Sequence, residues 1–192
     1  MLQTKKPAVF LDRDGTINVE RDYLYRPEDF CFIDGADTAI RQLNDAGFLV
    51  VVVTNQSGVA RGYYREEDVD VLHAYLSQRL AEVGGHVDAY YYCPHHPRSG
   101  QPPYVQECDC RKGKPGMLLQ AAREFDIDLA RSWMVGDKKA DVDAGLAAGC
   151  RPVLVRTGHG ESECRNIDAD QVPVCDDLSA AVAFILVNSP DP

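Results

Sequence analysis

AVFLDRDGT, residues 8–16, is an apolar run of strand character that ends on two carboxylates, Asp12 and Asp14. Side chains two apart in an extended segment share a face, so both acids stand together where a buried strand opens to solvent. One carboxylate can attack an electrophile there while its neighbour moves protons. Their shared negative charge also favours a divalent cation. An EF-hand loop starting at Asp12 would need glycine where Ile17 stands, glutamate where Tyr23 stands, and helices on both sides.

Working outward from this stretch, strand and helix patterns alternate. Ala36–Asn44 reads as a helix closed by Gly47, and Phe48–Val53 as a β-branched strand covered on both faces. Glu66–Val83 reads as a long amphipathic helix broken by Gly84-Gly85, Val87–Tyr92 as a third strand, and Pro94–Glu107 as a proline- and glycine-rich loop. Pro115–Phe125 is a helix with proline in its first turn. Trp133–Val135, Ala140–Ala148, Val153–Val155 and Leu178–Val187 follow as strand, helix, strand and helix. Residues 158–177 read as polar and irregular, and residues 188–192 as a fraying tail. This order predicts an α/β fold with a doubly wound, mostly parallel sheet and right-handed crossovers. Ligands of such sheets sit at the carboxyl ends of the strands, where Asp12, Asp14, Thr54 and Asp137 all fall.

Composition narrows the function classes. The 192 residues suit one domain, with 45% hydrophobic and 26% charged residues as in ordinary globular proteins. A formal net charge of −10 argues against a nonspecific nucleic-acid binder but leaves room for a locally basic pocket and an anionic substrate. No run has the length of a spanning helix, and MLQTKKPAVFLDRD lacks the apolar core and cleavage site of a signal peptide, so a cytoplasmic protein with no membrane partner is expected. Of seven cysteines, Cys31, Cys150, Cys164 and Cys175 are scattered and read as packing or surface residues.

The remaining donors cluster. Cys93-x-His95 and Cys108-x-Cys110 bracket residues 96–107. Each pair can grip one ion from an extended backbone, and two pairs close a tetrahedron of three sulfurs and one imidazole, a donor set typical of structural zinc. Four protein ligands leave no open position for water, and residues 93–110 are expected to fold as a zinc loop. His96 competes with His95 only by proximity. The loop carries Arg111 and Lys112 directly behind Cys110.

LDRDGTIN, VVVTNQSGVARG, YYCPHHP, CDCRK and MVGDK resemble, in order and spacing, the motifs of haloacid-dehalogenase-type (HAD) phosphatases, over roughly residues 8–157. Within that superfamily the likeness is greatest to the heptose-bisphosphate phosphatase family. The resemblance implies a Rossmann-like HAD fold without a large cap, in a single domain over residues 1–192. It implies that Asp12 forms an aspartyl-phosphate, that Asp14 is the acid and then the base, and that Thr54 and a lysine stabilise the phosphoryl oxygens. It further implies magnesium held by Asp12, the backbone carbonyl of Asp14, and Asp137. The usual Arg-Lys-Pro appears here as Arg111-Lys112-Gly113, with Lys114-Pro115 as a second candidate; alignment on CDCRK and PGM selects Lys112. Asp141 is expected to support the site by hydrogen bonding.

Residues 17–48 leave space for one loop and one helix, so specificity must come from loops. By resemblance Glu20, Arg21, Asp22 and Tyr23 contact the sugar, Thr54, Asn55, Gln56 and Ser57 line the phosphate cradle, and Arg111 and Lys138 recognise substrate. The activity implied is removal of the C7 phosphate of a heptose 1,7-bisphosphate for surface-glycan precursors, by a monomer. Two rival readings are a histidinol-phosphate phosphatase, which shares the motif set, and a non-catalytic zinc-binding interaction module. Arg61 reads equally as a loop charge or a substrate contact, and His73, His86 and His159 as surface or packing residues.

Overall fold

The computed structural model describes residues 5–168 and 170–189. The first residues of the expected leaderless start, 1–4, and the end of the expected fraying tail, 190–192, lie outside the described residues.

Six strands form one parallel sheet in the order β3-β2-β1-β4-β5-β6. They are β1 (Ala8–Leu11), β2 (Leu49–Asn55), β3 (Ala89–Cys93), β4 (Trp133–Gly136), β5 (Arg151–Val155) and β6 (Val174–Cys175). The helices are α1 (Ala36–Asp45), α2 (Glu66–Ala81), α3 (Gly116–Glu124), α4 (Lys139–Ala148), the short α5 (Gly160–Glu163) and α6 (Leu178–Asn188). The strand order reverses between β1 and β4, and the crevice at such a switch point is where doubly wound sheets bind ligands.

Both sheet faces are covered, which explains the unbroken apolar runs. Val9, Leu11, Val50, Val52, Val135 and Val153 pack with Ile40 and Leu43 of α1, Leu72 and Leu76 of α2, and Val182 and Ile185 of α6. Phe10, Val51, Val53 and Met134 meet Met117, Leu118 and Ala121 of α3 and Ala144 of α4 on the other face. Full burial of one such aliphatic side chain contributes roughly 1.5–3 kcal/mol. Side-chain oxygens start three of the helices among the described residues: Asp68 Oδ2 accepts Arg65 N–H at 2.8 Å, Asp141 Oδ2 accepts Lys138 N–H at 3.0 Å, and Asp177 Oδ1 accepts Ala180 N–H at 2.8 Å.

Several boundaries differ from the sequence reading. β2 runs on through Thr54 and Asn55, because these polar residues pair with Tyr92 and Cys93 of β3. α2 ends at Ala81, and Pro115 caps α3 from outside rather than opening its first turn. Residues 158–177 are not wholly irregular: they hold α5, a 3₁₀ turn at Cys164–Asn166 and edge strand β6, with Val172 buried against Val142 and Leu154. Between β1 and β2 there is one 3₁₀ turn, Pro27–Asp29, and α1, so no large cap stands there among the described residues.

Candidate active site and metal centres

Asp12 follows β1 and Asp137 follows β4, so the switch point itself brings these two acids together. Both are buried. Gly15 makes their approach possible: it has φ +86°, and a side-chain carbon there would lie 2.3 Å from Asp137 Oδ2. A side-chain carbon on Gly158 would crowd the same oxygen and Gly15 itself, and Thr157 Oγ1 donates to the Gly15 carbonyl at 2.6 Å. The glycine of Asp-x-Asp-Gly-Thr is thus required for packing as well as for its turn.

Lys112 enters from the cysteine-rich loop. Its buried ammonium lies 2.5 Å from Asp12 Oδ1 and 2.7 Å from Asp141 Oδ1. Burial works against this charge, but the carboxylates of Asp12 and Asp141 outweigh it and raise the lysine pKa. Lys114 stays half-exposed near Glu107 and Asp109, outside the site. The choice between the two lysines thus has a plain geometric answer.

Asp12, Asp137 and Asp141 place ligand atoms within 4.8 Å of one another. Asp137 Oδ2 accepts the backbone N–H of His159 at 2.8 Å, whereas its buried Oδ1 has no hydrogen-bond partner. Burial, followed by the charge of Asp12, pushes the Asp137 carboxyl up to about 8, and burial pushes Asp141 up to about 6. The buried Lys112 ammonium, with Lys138 Nζ 4.0 Å from Asp137 Oδ1, leaves these three buried acids short of positive charge, and a buried carboxylate oxygen without a hydrogen bond marks where a cation fits.

Asp14 is held differently. Its Oδ2 accepts Arg13 Nη2 at 2.8 Å and Gln56 Nε2 at 2.9 Å, while Oδ1 accepts Arg13 Nη2 at 3.1 Å and Asn18 Nδ2 at 3.0 Å. Burial raises its pKa, but the Arg13 charge and the bonds from Asn18, Arg13 and Gln56 prevail and hold it below the usual carboxylate range. Gln56 Nε2 also reaches Thr54 Oγ1 at 2.8 Å, and its Oε1 accepts the Tyr64 hydroxyl at 2.6 Å. Asn55 Oδ1 accepts the backbone N–H of Lys112 at 2.9 Å.

Asp12, Asp14, Thr54, Asn55, Gln56, Tyr64, Lys112 and Asp141 line a cleft of about 220 Å³ with Glu20, Asp22, Tyr23, Ser57, Lys138 and His159, whereas the fully buried Asp137 lies outside its lining. That volume is below the ~300–1,000 Å³ of enclosed small-molecule pockets, so the cleft takes one end of a ligand and leaves the rest to the loops. Lys138 Nζ and His159 Nε2 both face Glu20 Oε2, at 3.2 and 3.5 Å. Two expected residues are not brought in. Arg21 opens onto an adjoining surface depression that shares Asp22 and Tyr23, and Arg111 Nη1 donates to the His95 carbonyl at 3.1 Å away from the cleft lining. His159 was missed because no spacing in the sequence links it to Glu20 or Asp137.

The second donor cluster forms as expected. Cys110 Sγ lies 3.3 Å from the sulfurs of both Cys93 and Cys108, and 3.4 Å from His95 Nδ1. All four donor atoms fall within 4.8 Å of one another. Burial raises the Cys93 thiol, which a bound cation would reverse. Three sulfurs and an imidazole with no disulfide suit zinc. His96 is engaged elsewhere, its Nδ1 accepting the backbone N–H groups of Arg98 and Ser99 at 3.1 and 2.9 Å.

Comparison with known proteins gives the family. A family model described as HAD-hydrolase-like matches residues 109–181. The chain is 50% identical over 153 residues to the D-glycero-beta-D-manno-heptose-1,7-bisphosphate 7-phosphatase of Yersinia pestis, covering 79% of this chain and 81% of that protein. It is 52% identical over 155 residues to the protein of the same name from Haemophilus ducreyi, covering 80% and 85%. Among solved structures, the D,D-heptose 1,7-bisphosphate phosphatase of B. bronchiseptica, complexed with magnesium and phosphate, superposes with a TM-score of 0.85 at 37% identity, covering 95% of this chain and 99% of that one.

Proposed function

The chain belongs to the D-glycero-D-manno-heptose 1,7-bisphosphate 7-phosphatase family of HAD-like hydrolases, and on that premise we propose that its one domain removes the C7 phosphate of the β anomer through an aspartyl-phosphate on Asp12. The observation that carries the chemistry is the meeting of Asp12, Lys112 and the unpartnered Asp137 Oδ1 at the switch point. The anomer follows the names of the relatives, which print beta.

Asp12 attacks phosphorus, so its oxygen–phosphorus bond forms as the bond to the C7 oxygen breaks. Asp14, ionised by Arg13 in the free site, takes up a proton from the monoanionic phosphate ester as it binds, gives it to the departing oxygen, then takes one from the water that cleaves the aspartyl-phosphate. Lys112 and Thr54 stabilise charge on the transferring oxygens, and Lys112 also orients the Asp12 carboxylate. Magnesium would be held by Asp12, the carbonyl of Asp14, and Asp137; bound there, it neutralises the carboxylates against the phosphate dianion. Zinc would be held by Cys93, His95, Cys108 and Cys110, as a structural ion fixing the segment that carries Arg111 and Lys112.

Glu20, Asp22 and Tyr23 face the sugar, with Asn55, Gln56 and Ser57 building the phosphate cradle. Lys138 faces the remote phosphate. The product then feeds nucleotide-activated heptose synthesis. No helix among the described residues is long and apolar enough to cross a membrane, in keeping with a small soluble substrate, and the protein acts as a monomer in this reading.

Phosphate release with magnesium from the α and β heptose 1,7-bisphosphates and histidinol phosphate, in parallel, tests the proposal. A preference of about a hundredfold for the β anomer, roughly 2.7 kcal/mol of differential transition-state binding, is expected. Preference for histidinol phosphate would overturn the substrate and keep the mechanism. No turnover of any phosphate ester would restore the rival of a non-catalytic zinc module.

A further inference from the structure

Arg13, between the two acids of the active-site loop, is the largest fully buried side chain among the described residues, at 0% exposure. Its Nη2 bonds both oxygens of Asp14 and the Leu24 carbonyl, at 2.8, 3.1 and 3.1 Å. Its other terminal nitrogen, Nη1, lies 3.4 Å from Nε2 of His73 in the middle of α2. His73 is itself buried, stacked on Tyr90 with ring centroids 4.6 Å apart and an 18° interplanar angle.

The hydrogen-bond roles follow from chemistry. A guanidinium has only donors, so His73 Nε2 must accept and the ring proton must sit on Nδ1. Burial, then the Arg13 charge, drives the His73 pKa down to about 3, so the ring is neutral and able to accept at every working pH. Water cannot stand in for the imidazole, because neither partner is open to solvent. An unbroken chain of contacts thus runs from α2 through His73 and Arg13 to the carboxyl group of Asp14.

We propose that His73 is a positioning residue for proton transfer: by accepting from Arg13 Nη1 it fixes the guanidinium that orients Asp14, and so the acid that protonates the departing sugar oxygen. This rests on the reading of Asp14 as that acid. It gives a histidine outside the cleft a kinetic role beyond filling the core.

The test separates positioning from packing by the leaving group. An alkoxide needs the proton of Asp14, whereas p-nitrophenolate leaves without one. The ratio kcat/KM reports steps only as far as aspartyl-phosphate formation, so the later use of Asp14 as a base does not enter. His73→Phe keeps an aromatic ring against Tyr90 and removes the acceptor; His73→Gln keeps an acceptor. The Phe variant is expected to lose about 10- to 100-fold in kcat/KM on the heptose bisphosphate and less than about threefold on p-nitrophenyl phosphate, with the Gln variant near wild type on both. Equal losses on the two substrates, or no loss on either, would overturn the proposal.

Nitrogen-15 NMR of the wild-type protein needs no folded variant beyond the Gln one for assignment. It must show His73 protonated on Nδ1 and bare on Nε2, and a proton on Nε2 would overturn the proposal. Wild-type protein that hydrolyses p-nitrophenyl phosphate but not the heptose bisphosphate would instead overturn the substrate reading. The leaving-group comparison would then be made with whichever alkyl phosphate it does hydrolyse.

Discussion

Asn55 Oδ1, on the last residue of β2, accepts the backbone N–H of Lys112 at 2.9 Å. The chain just past Cys110 is therefore anchored at two ends, by the donor cluster behind it and by a core strand beside it. Further bonds seam the same loop to the segment that follows β2: Gln56 N–H to the Cys93 carbonyl at 2.8 Å, and Gln101 N–H to the Ala60 carbonyl at 2.8 Å. A loop with little apolar core of its own relies on such anchors, and a metal would be the strongest.

Cys108→Ser is accordingly expected to lose zinc and, with it, the placement of Lys112, lowering kcat by about 100-fold or more, the usual cost of a lost transition-state donor. Metal analysis and phosphate release check both halves. Asn55→Ala keeps all four donors, so it should retain zinc and lose only about tenfold in activity, since one hydrogen bond of about 1–1.5 kcal/mol is removed. A zinc-free Cys108→Ser protein with full activity would break the link between the two centres.

Gly15→Ala attacks the site from the opposite side. The position combines φ +86° with an approach of 2.3 Å between the added carbon and Asp137 Oδ2, so the variant must either strain the loop or push Asp137 away. A stability loss of about 1–3 kcal/mol is expected from the strain alone, read as a lower melting temperature. Magnesium should bind more weakly as well. Unchanged magnesium dependence would show that Asp137 is not the carboxylate that cations meet.

The raised Asp137 pKa gives a pH dependence with a definite sign. Its carboxyl titrates at about 8 in the metal-free fold, against 3.8 as the ordinary value, so the fold binds that proton more tightly than the unfolded chain does. The corresponding stability is complete below about pH 4 and drains away as pH rises toward 8. Asp141, raised to about 6, adds to the same trend at lower pH, and the lowered Asp14 acts only at the acid end. Metal-free protein should melt at least about 2–4 °C lower at pH 8 than at pH 6, a shift matching ~1 kcal/mol for a chain of this size. Asp137→Asn should flatten the trend, and magnesium should abolish it. A flat metal-free profile would mean that Asp137 is ionised throughout.

The sheet and its acids were legible because strand runs such as AVFL and LVVVV are β-branched or apolar throughout, and because the polar groups cluster where those runs stop. The edge strand Val174–Cys175 was not, since two residues pairing only with Leu154 and Val155 leave no periodicity to read. Thr54 and Asn55 lie beyond the apolar run Phe48–Val53 for a related reason: what carries the strand through them is their pairing with Tyr92 and Cys93, a tertiary fact. Four cysteine and histidine donors could be grouped from spacing alone, because each pair is local. His159 could not, as its neighbours Glu20 and Asp137 are far away in the chain. His73 lies between these cases. It falls between Leu72 and Leu76 on the buried side of α2, which selects packing from the two readings of surface or packing, but nothing in the sequence pointed to Arg13 as the group it meets.

Lys138 and His159 converge on one oxygen of Glu20, and Lys138 Nζ also lies 4.0 Å from Asp137 Oδ1. The ammonium therefore stands between the reacting end of the cleft and its outer rim. Burial works against its charge, but Asp12, Asp137 and Glu20 outweigh it and raise its pKa, so it remains a cation for an incoming anion. If it addresses the remote phosphate, Lys138→Ala should raise KM for the heptose 1,7-bisphosphate about tenfold, the loss of roughly 1.4 kcal/mol. Heptose 7-phosphate, which lacks that group, should change by less than about twofold, because a contact absent from the substrate cannot be lost. Steady-state kinetics on the two esters decide the matter. An equal rise in KM for both would move Lys138 from the remote phosphate to the transferring one, and a fall in kcat for both would make it a partner of Lys112 in stabilising the phosphoryl oxygens.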